Sequence, residues 1–141
     1  MNILLLGSGG REDALAWRLR QSPSCDKLIA APGNPGIARW AECVSMDPCD
    51  PRAVVDLARS NQIGLVVVGP EAPLVAGVGD ALRAAGITVF GPNAAAAQLE
   101  GSKGFTKDLC RANHIPTAEY VRVDRAADAR AALDGDRKSV V

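Results

Sequence analysis

The sequence has 141 residues, of which 48% are hydrophobic, and its 16 basic and 16 acidic residues give a formal net charge of zero. This length suffices for a domain with a buried core. The zero net charge gives no electrostatic reason to expect nucleic acid or an anionic membrane as a partner. No apolar run is long enough to span a membrane, and the first residues do not resemble a signal peptide, so we expect a cytoplasmic protein.

The cysteines and the histidine are not spaced as metal ligands. Cys25, Cys43, Cys49 and Cys110 form no C-x-x-C pair, and His114 is the only histidine. This spacing predicts no zinc site. It also favours reduced thiols that pack as small apolar residues, as in cytoplasmic proteins.

The first predicted strand runs into a glycine-rich turn. Ile3 to Leu6 is apolar without alternation, which is typical of a strand buried on both faces of a parallel sheet. Gly7, Gly9 and Gly10 follow it and leave the backbone accessible to a ligand. Helical spacing over residues 14–19 comes next, so the free N–H groups of the first helical turn face this loop. Such a helix start is an anion-binding site in many proteins.

The turn departs from the dinucleotide fingerprint in two ways. Glu12 stands where that fingerprint has its third glycine, and Leu28 to Pro32 lacks the acidic residue that holds the ribose. A mononucleotide-like ligand or a sugar phosphate therefore fits better than a dinucleotide. The alternative is a glycine turn that only packs the helix against the sheet.

Strands and helices alternate along the next 80 residues. The alternation predicts an α/β fold with a Rossmann-like, doubly wound parallel sheet of strand order 3-2-1-4-5. The carboxyl ends of strands 1 and 4 then place residues 7–12 and 69–74 side by side. The further predicted strands are residues 27–31, 42–46, 63–68 and 87–90, and the predicted helices between them begin at Pro51 and at Val75.

Two carboxylates and one guanidinium are expected at this crevice. Glu12 and Glu71 are the carboxylates, and Glu71 lies in a stiff loop, Pro70 to Leu74. They suit sugar hydroxyls or an amine, while Arg11 suits a phosphate. Each also has a structural interpretation: Glu12 complements the helix dipole, and Arg11 is a solvated surface arginine.

Beyond an alanine-rich helical segment at residues 94–99, Ser102 is the expected N-cap of a helix. Phe105 and Leu109 are expected to bury one side of that helix. Lys103 and Lys107 share a face, where they repel one another unless an anion binds, and the alternative is a solvated basic face. The chain continues with a predicted strand at residues 118–123, a helical segment at 128–133 and the start of a strand at 140–141.

Six segments occur at the spacing of a known family. The chain resembles the N-terminal part of the phosphoribosylamine–glycine ligases, which belong to the ATP-grasp superfamily. The segments are GSGGRE at 7–12, APGNPG at 31–36, VGPEAPL at 68–74, FGP at 90–92, QLEGSKGFTK at 98–107 and IPTAEY at 115–120.

The resemblance implies a reaction of purine biosynthesis. ATP, with Mg²⁺ or Mn²⁺, activates glycine for attack by 5-phosphoribosylamine, which yields glycinamide ribonucleotide, ADP and phosphate. The resemblance also implies a preATP-grasp domain at residues 1–100 and the beginning of an ATP-grasp domain at 101–141. The remaining ATP-grasp and C-terminal domains would act in cis or in trans.

The resemblance also assigns residues to ligands. Gly9, Gly10, Arg11, Glu12, Pro70 and Glu71 are expected to contact 5-phosphoribosylamine, and Lys103 an ATP phosphate. The catalytic and metal-binding residues are expected beyond residue 141, so the isolated chain is expected to be inactive. Asp13 departs from the family pattern, which has histidine there. The alternatives are a stand-alone nucleotide-binding or dinucleotide-binding module and one subunit of a split ligase.

Overall fold

A five-stranded parallel sheet forms the centre of the computed structural model, which describes residues 1–135. The chain divides into two units, Met1–Gly101 and a second that begins at Ser102, and each is described by itself. The predicted strand start at residues 140–141 and the polar residues 136–139 lie outside the described residues.

The strand order of the sheet is β3-β2-β1-β4-β5, and all four pairings are parallel, which confirms the predicted topology. The two edge strands β3 and β5 are two residues long and shorter than predicted, because only two residues of each pair with the neighbouring strand. The strands are β1 at Asn2–Gly7, β2 at Lys27–Pro32, β3 at Glu42–Cys43, β4 at Ile63–Val68 and β5 at Val89–Phe90.

Five α-helices and one 3₁₀ turn belong to the first unit, and two helices belong to the described part of the second. Pro51 begins α2 as predicted, and the Asp50 side chain caps it by accepting from two backbone N–H groups. The helices are α1 at Gly10–Arg20, α2 at Pro51–Ser60, α3 at Glu71–Val75, α4 at Val78–Ala84, α5 at Ala94–Gly101, α6 at Lys103–Ala112 and α7 at Ala126–Gly135, and the 3₁₀ turn is Ile37–Arg39.

Both faces of the sheet are buried, which explains the unalternating apolar strands. Leu4 and Leu6 belong to one core with residues of α2 and α4, while Ile3 and Leu5 belong to a second core with Ala16 of α1. Truncation of a fully buried leucine in such a core costs about 2–5 kcal/mol. The central strand β1 is therefore held rigidly, and so is the turn that follows it.

The structure corrects two predictions of local conformation. The segment Pro70 to Leu74, predicted as a loop, begins a helix at Glu71, because Pro70 adopts the extended conformation of an N-cap and proline is tolerated in a first turn. Within the described part of the second unit, residues 118–123 form no strand. Side chains of α6 hold this segment instead: Lys107 Nζ donates to Thr117 Oγ1 and to the Ala118 carbonyl.

The side of α6 predicted to be buried is partly exposed. Phe105 and Leu109 keep 42% and 38% of their surface exposed, which corrects the prediction. Ser102 does cap α6, since its hydroxyl accepts from the Phe105 N–H. Across the described residues, no helix has both the length and the hydropathy needed to cross a bilayer.

Candidate functional site at the carboxyl edge of the sheet

Three loops meet where β1, β2 and β4 end. Leu6 of β1 pairs with Val68 of β4, and one residue later the Gly69 N–H donates to the Leu6 carbonyl at 3.0 Å. On the other side of β1, the Gly33 N–H donates to the Gly7 carbonyl at 3.1 Å. The turn after β1 therefore lies between the loops that follow β2 and β4, and this is the crevice predicted from the strand order.

The two glycine turns are shaped by the side chain of Glu12. A Cβ atom on Gly7 would lie 2.6 Å from Glu12 Cγ, and one on Gly69 would lie 2.5 Å from the same atom. Gly7 also has a φ of +131°, which side chains rarely adopt. Glycine is required at both positions, because Glu12 fills the space between the end of β1 and the end of β4.

The carboxylate of Glu12 has partners on both oxygens. Its side chain is buried, with 4% of the residue surface exposed. Oε2 accepts from the Gly9 N–H at 2.7 Å, and Oε1 accepts from Arg11 Nε at 2.9 Å. The helix-start interpretation of Glu12 is thus observed, since an N3 glutamate that bonds back to the N-cap N–H stabilises a helix start. Its predicted contact with substrate stays a prediction.

Arg11 extends from the same turn towards solvent. Its side chain is 58% exposed, and Glu12 accepts only from its Nε, so within residues 1–135 its two terminal nitrogens have no hydrogen-bond partner. The hydrogen bond and the charge of Glu12 raise the pKa of Arg11 above its usual value, and Glu100 and Glu71 add smaller contributions. The guanidinium therefore keeps its charge at all physiological pH values, as an anion-binding group requires.

The opposite wall of the crevice is the start of α3. Pro70 is the N-cap and Glu71 the first helical residue. Within residues 1–135, the Glu71 carboxylate has no hydrogen-bond or ion-pair partner, unlike that of Glu12. Gly10, the first residue of α1, has nothing within 4 Å of where a Cβ would lie. The crevice thus offers an unpartnered carboxylate on one side and open backbone on the other.

Sequence reasoning missed two residues of this edge. Asn34, in the loop after β2, donates from Nδ2 to the Ser8 carbonyl at 2.8 Å, and Arg39 bonds Asp13 at 3.4 Å. The N-P-G sequence around Asn34 is a turn signal that indicates such side-chain bonding. Asp13, which departs from the family pattern, also has a buried Oδ1 with no hydrogen-bond partner within residues 1–135.

Lys103 lies in the second unit, where it lines a groove with Lys107 and Arg122. Lys107 is bonded to the segment that follows α6, and Arg122 is paired with Asp108 at 2.8 Å. Within the described residues, no acceptor is bonded to the Lys103 ammonium. Of the two lysines on the predicted basic face, Lys103 is therefore the one available to an anion, and its contact with ATP stays a prediction.

The pattern of the first 100 residues matches one protein family. The family described as phosphoribosylglycinamide synthetase, N domain, matches residues 1–100. The chain belongs to this family.

Curated relatives of the family carry a ligase name. A phosphoribosylamine–glycine ligase of Agrobacterium fabrum is 62% identical over 130 residues, which are 92% of this chain and 31% of that protein. The one from Rhizobium meliloti is 58% identical over 141 residues, which are 100% of this chain and 33% of that protein. The chain therefore spans about a third of the length of these relatives.

A solved structure of the same name shares the fold. The phosphoribosylamine–glycine ligase of Thermotoga maritima superposes with a TM-score of 0.66 at 22% identity and covers 96% of this chain and 30% of that one. The sheet order and this likeness confirm the predicted fold class.

Proposed function

We propose that this chain supplies the 5-phosphoribosylamine side of a phosphoribosylamine–glycine ligase. One observation carries the proposal. In this chain, which belongs to the family, the glycine turn after β1 and the unpartnered Glu71 after β4 meet at adjacent strand ends. Curated relatives with about 60% identity bear the ligase name. This chain matches about a third of their length, and the rest of their length would correspond to the other parts of the enzyme.

The two walls of the crevice suit the two ends of a phosphorylated sugar. The free N–H groups at the start of α1, on Gly10 and Arg11, and the exposed guanidinium of Arg11 favour a phosphate. Glu71 accepts hydrogen bonds from ribose hydroxyls, and it lies at the end of the neighbouring strand. Gly9 and Pro70 are the N-caps of the helices that form the two walls, and the buried side chain of Glu12 holds the turn after β1 through its bond to the Gly9 N–H.

The activation chemistry belongs to the complete ligase. We propose that the complete enzyme uses ATP with Mg²⁺ or Mn²⁺ and glycine, and that Lys103 contacts an ATP phosphate. Within the described residues, no group of three His, Cys, Asp or Glu side chains is placed to hold a metal ion. From the resemblance to the ligases, we propose that residues elsewhere in the complete enzyme hold the metal. A cytoplasmic location and the joining of further ligase domains, in cis or in trans, are part of the same proposal.

Binding of ribose 5-phosphate to the chain tests the proposal. This stable sugar phosphate lacks the reactive amine of the substrate, and calorimetry measures its affinity directly. We expect Glu71→Gln to weaken binding about fivefold, because a neutral acceptor replaces a charged one. Glu119→Gln, the same substitution in the second unit, is the control and leaves the affinity unchanged. Equal affinities of all three proteins would contradict the role of Glu71.

The alternative ligand is a dinucleotide. Titration with NADH, followed by its fluorescence, distinguishes the two, and we expect no saturable binding at micromolar concentrations. Tight NADH binding with none of ribose 5-phosphate would replace the proposal with a dinucleotide-binding function.

A further inference from the structure

The peptide unit between Ser8 and Gly9 is held at both ends by side chains. The Ser8 carbonyl accepts from Asn34 Nδ2 at 2.8 Å, and the Gly9 N–H donates to Glu12 Oε2 at 2.7 Å. The two side chains come from different elements, the loop after β2 and the helix α1. Since the C=O and N–H of a trans peptide point in opposite directions, the two bonds together set the rotation of the peptide plane.

This peptide unit needs to be held because a glycine follows it. Glycine tolerates positive and negative φ about equally, so a flip of the Ser8–Gly9 peptide meets little steric resistance at Gly9. A flip would turn the Ser8 carbonyl, with its partial negative charge, towards the Glu12 carboxylate that the Gly9 N–H now faces, and it would break the capping bond at the start of α1. The N–H groups of Gly10 and Arg11, which follow directly in the chain, would then lose the orientation in which they converge on an anion.

Asn34 is itself held in place. Its Oδ1 accepts from the Ile37 N–H at 2.9 Å, which leaves its Nδ2 to face Ser8. Ile37 is fully buried, and Gly33, the residue before Asn34, bonds Gly7 at 3.1 Å. The loop after β2 therefore presents the amide of Asn34 to Ser8 from a rigid base.

We propose that Asn34 is a positioning residue for the anion-binding turn, acting with Glu12 to fix the Ser8–Gly9 peptide. Asn34 touches no ligand in this role. The inference rests on the proposed function, since it concerns how the chain binds the phosphate of a sugar phosphate. It adds the loop after β2 as a third element of the site.

Two substitutions separate positioning from general stability. Asn34→Asp keeps the acceptor for Ile37 but turns a carboxylate towards the Ser8 carbonyl, while Asn34→Ala removes both bonds. Asn61→Asp is the matched control, because Asn61 Nδ2 also donates to a backbone carbonyl, that of Leu57, at the end of α2. We expect both Asn34 variants to bind ribose 5-phosphate about tenfold more weakly and the Asn61 variant to bind as the parent does.

The pH dependence gives a signature that a structural defect does not. Once protonated, the carboxyl group introduced by Asn34→Asp again donates to Ser8, so the affinity of this variant relative to the parent recovers as the pH falls from 7 towards 4. The deficit of Asn34→Ala does not change. Asp13 of α1, Arg39 of the 3₁₀ turn and Cys43 of β3 also lie around this loop. Their own effect is common to the parent and to Asn34→Ala and cancels between them, while in Asn34→Asp they act on the introduced carboxyl group and change only the pH at which binding recovers.

Each outcome decides between the two proposals. Parent-like binding by both Asn34 variants, with ribose 5-phosphate bound by the parent, overturns the positioning role and leaves the proposed function intact. Weak binding by Asn34→Asp that does not recover at low pH also overturns it. Absence of binding by the parent overturns the proposed function, and the inference with it. Tryptophan fluorescence establishes that each variant is folded.

Discussion

Replacing Gly69 with alanine tests whether Glu12 fills the space between the two turns. A Cβ at this position would lie 2.5 Å from Glu12 Cγ and 2.7 Å from Cδ, well inside van der Waals contact. Movement of the Glu12 carboxylate is opposed by its bonds to the Gly9 N–H and to Arg11 Nε. Overpacking of this kind costs about 1–3 kcal/mol of unfolding free energy.

The two tryptophans make the measurement specific to the first unit. Trp17 and Trp40 are the only tryptophans of the chain, and both lie before residue 101. Urea unfolding followed by tryptophan fluorescence therefore reports the unit that holds Gly69. In thermal unfolding of a domain of about 100 residues, each kcal/mol of lost unfolding free energy lowers Tm by roughly 4–8 °C.

A double-mutant cycle identifies the cause of the loss. In a Glu12→Ala background the three atoms nearest to the Cβ position are removed, so Gly69→Ala should cost less there than in the parent. We expect a coupling free energy of about 1–3 kcal/mol between the two substitutions. A Gly69→Ala variant as stable as the parent, or losses that simply add, would refute the placement of Glu12 between the turns.

Three further predictions concern single residues. Gly10→Ala leaves the unfolding free energy unchanged or raises it by up to about 1 kcal/mol, since nothing surrounds its Cβ position, and a clear loss in urea unfolding would contradict the open backbone. Asp50→Ala removes the cap of α2 and costs about 0.5–2 kcal/mol, whereas Asp56→Ala, on the exposed side of α2, stays within about 0.5 kcal/mol; equal losses would contradict the cap. The hydrogen bond to Asp108 raises the pKa of Tyr120, the only tyrosine, above its usual 10.0. The stability from this contact is therefore present below the pKa of Tyr120 in the unfolded chain and lost as the pH rises through its pKa in the folded chain. Asp108→Asn should lower the midpoint of the phenolate titration, measured by ultraviolet absorbance. An unchanged midpoint would contradict the hydrogen bond.

The sheet could be predicted because its signals are local. The unalternating run at Ile63–Val68 and the glycine turn after β1 require no knowledge of distant residues. The strand order then follows from the general topology of doubly wound sheets. These signals are sufficient to bring the turn after β1 and Glu71 to the same edge.

The errors arise where long-range contacts decide the structure. Composition predicts a strand at residues 118–123, but a strand forms only beside a partner, and in the described part of the second unit α6 holds this segment by side-chain bonds. The helix-start role of Glu12 was predicted, but its packing against Gly69 was not, because Gly69 lies far along the chain, after β4. Asn34 was missed because its contact with Ser8 spans two loops.

An NMR titration of the ¹⁵N-labelled chain with ribose 5-phosphate tests the central claim most directly. The claim is that the turn after β1 and the start of α3 form one binding crevice for a phosphorylated sugar. It predicts saturable shifts of the Gly10, Arg11 and Glu71 amides with a single dissociation constant, while inorganic phosphate shifts only the first two. Shifts confined to one of the two walls, or no saturable shift at either, would contradict it.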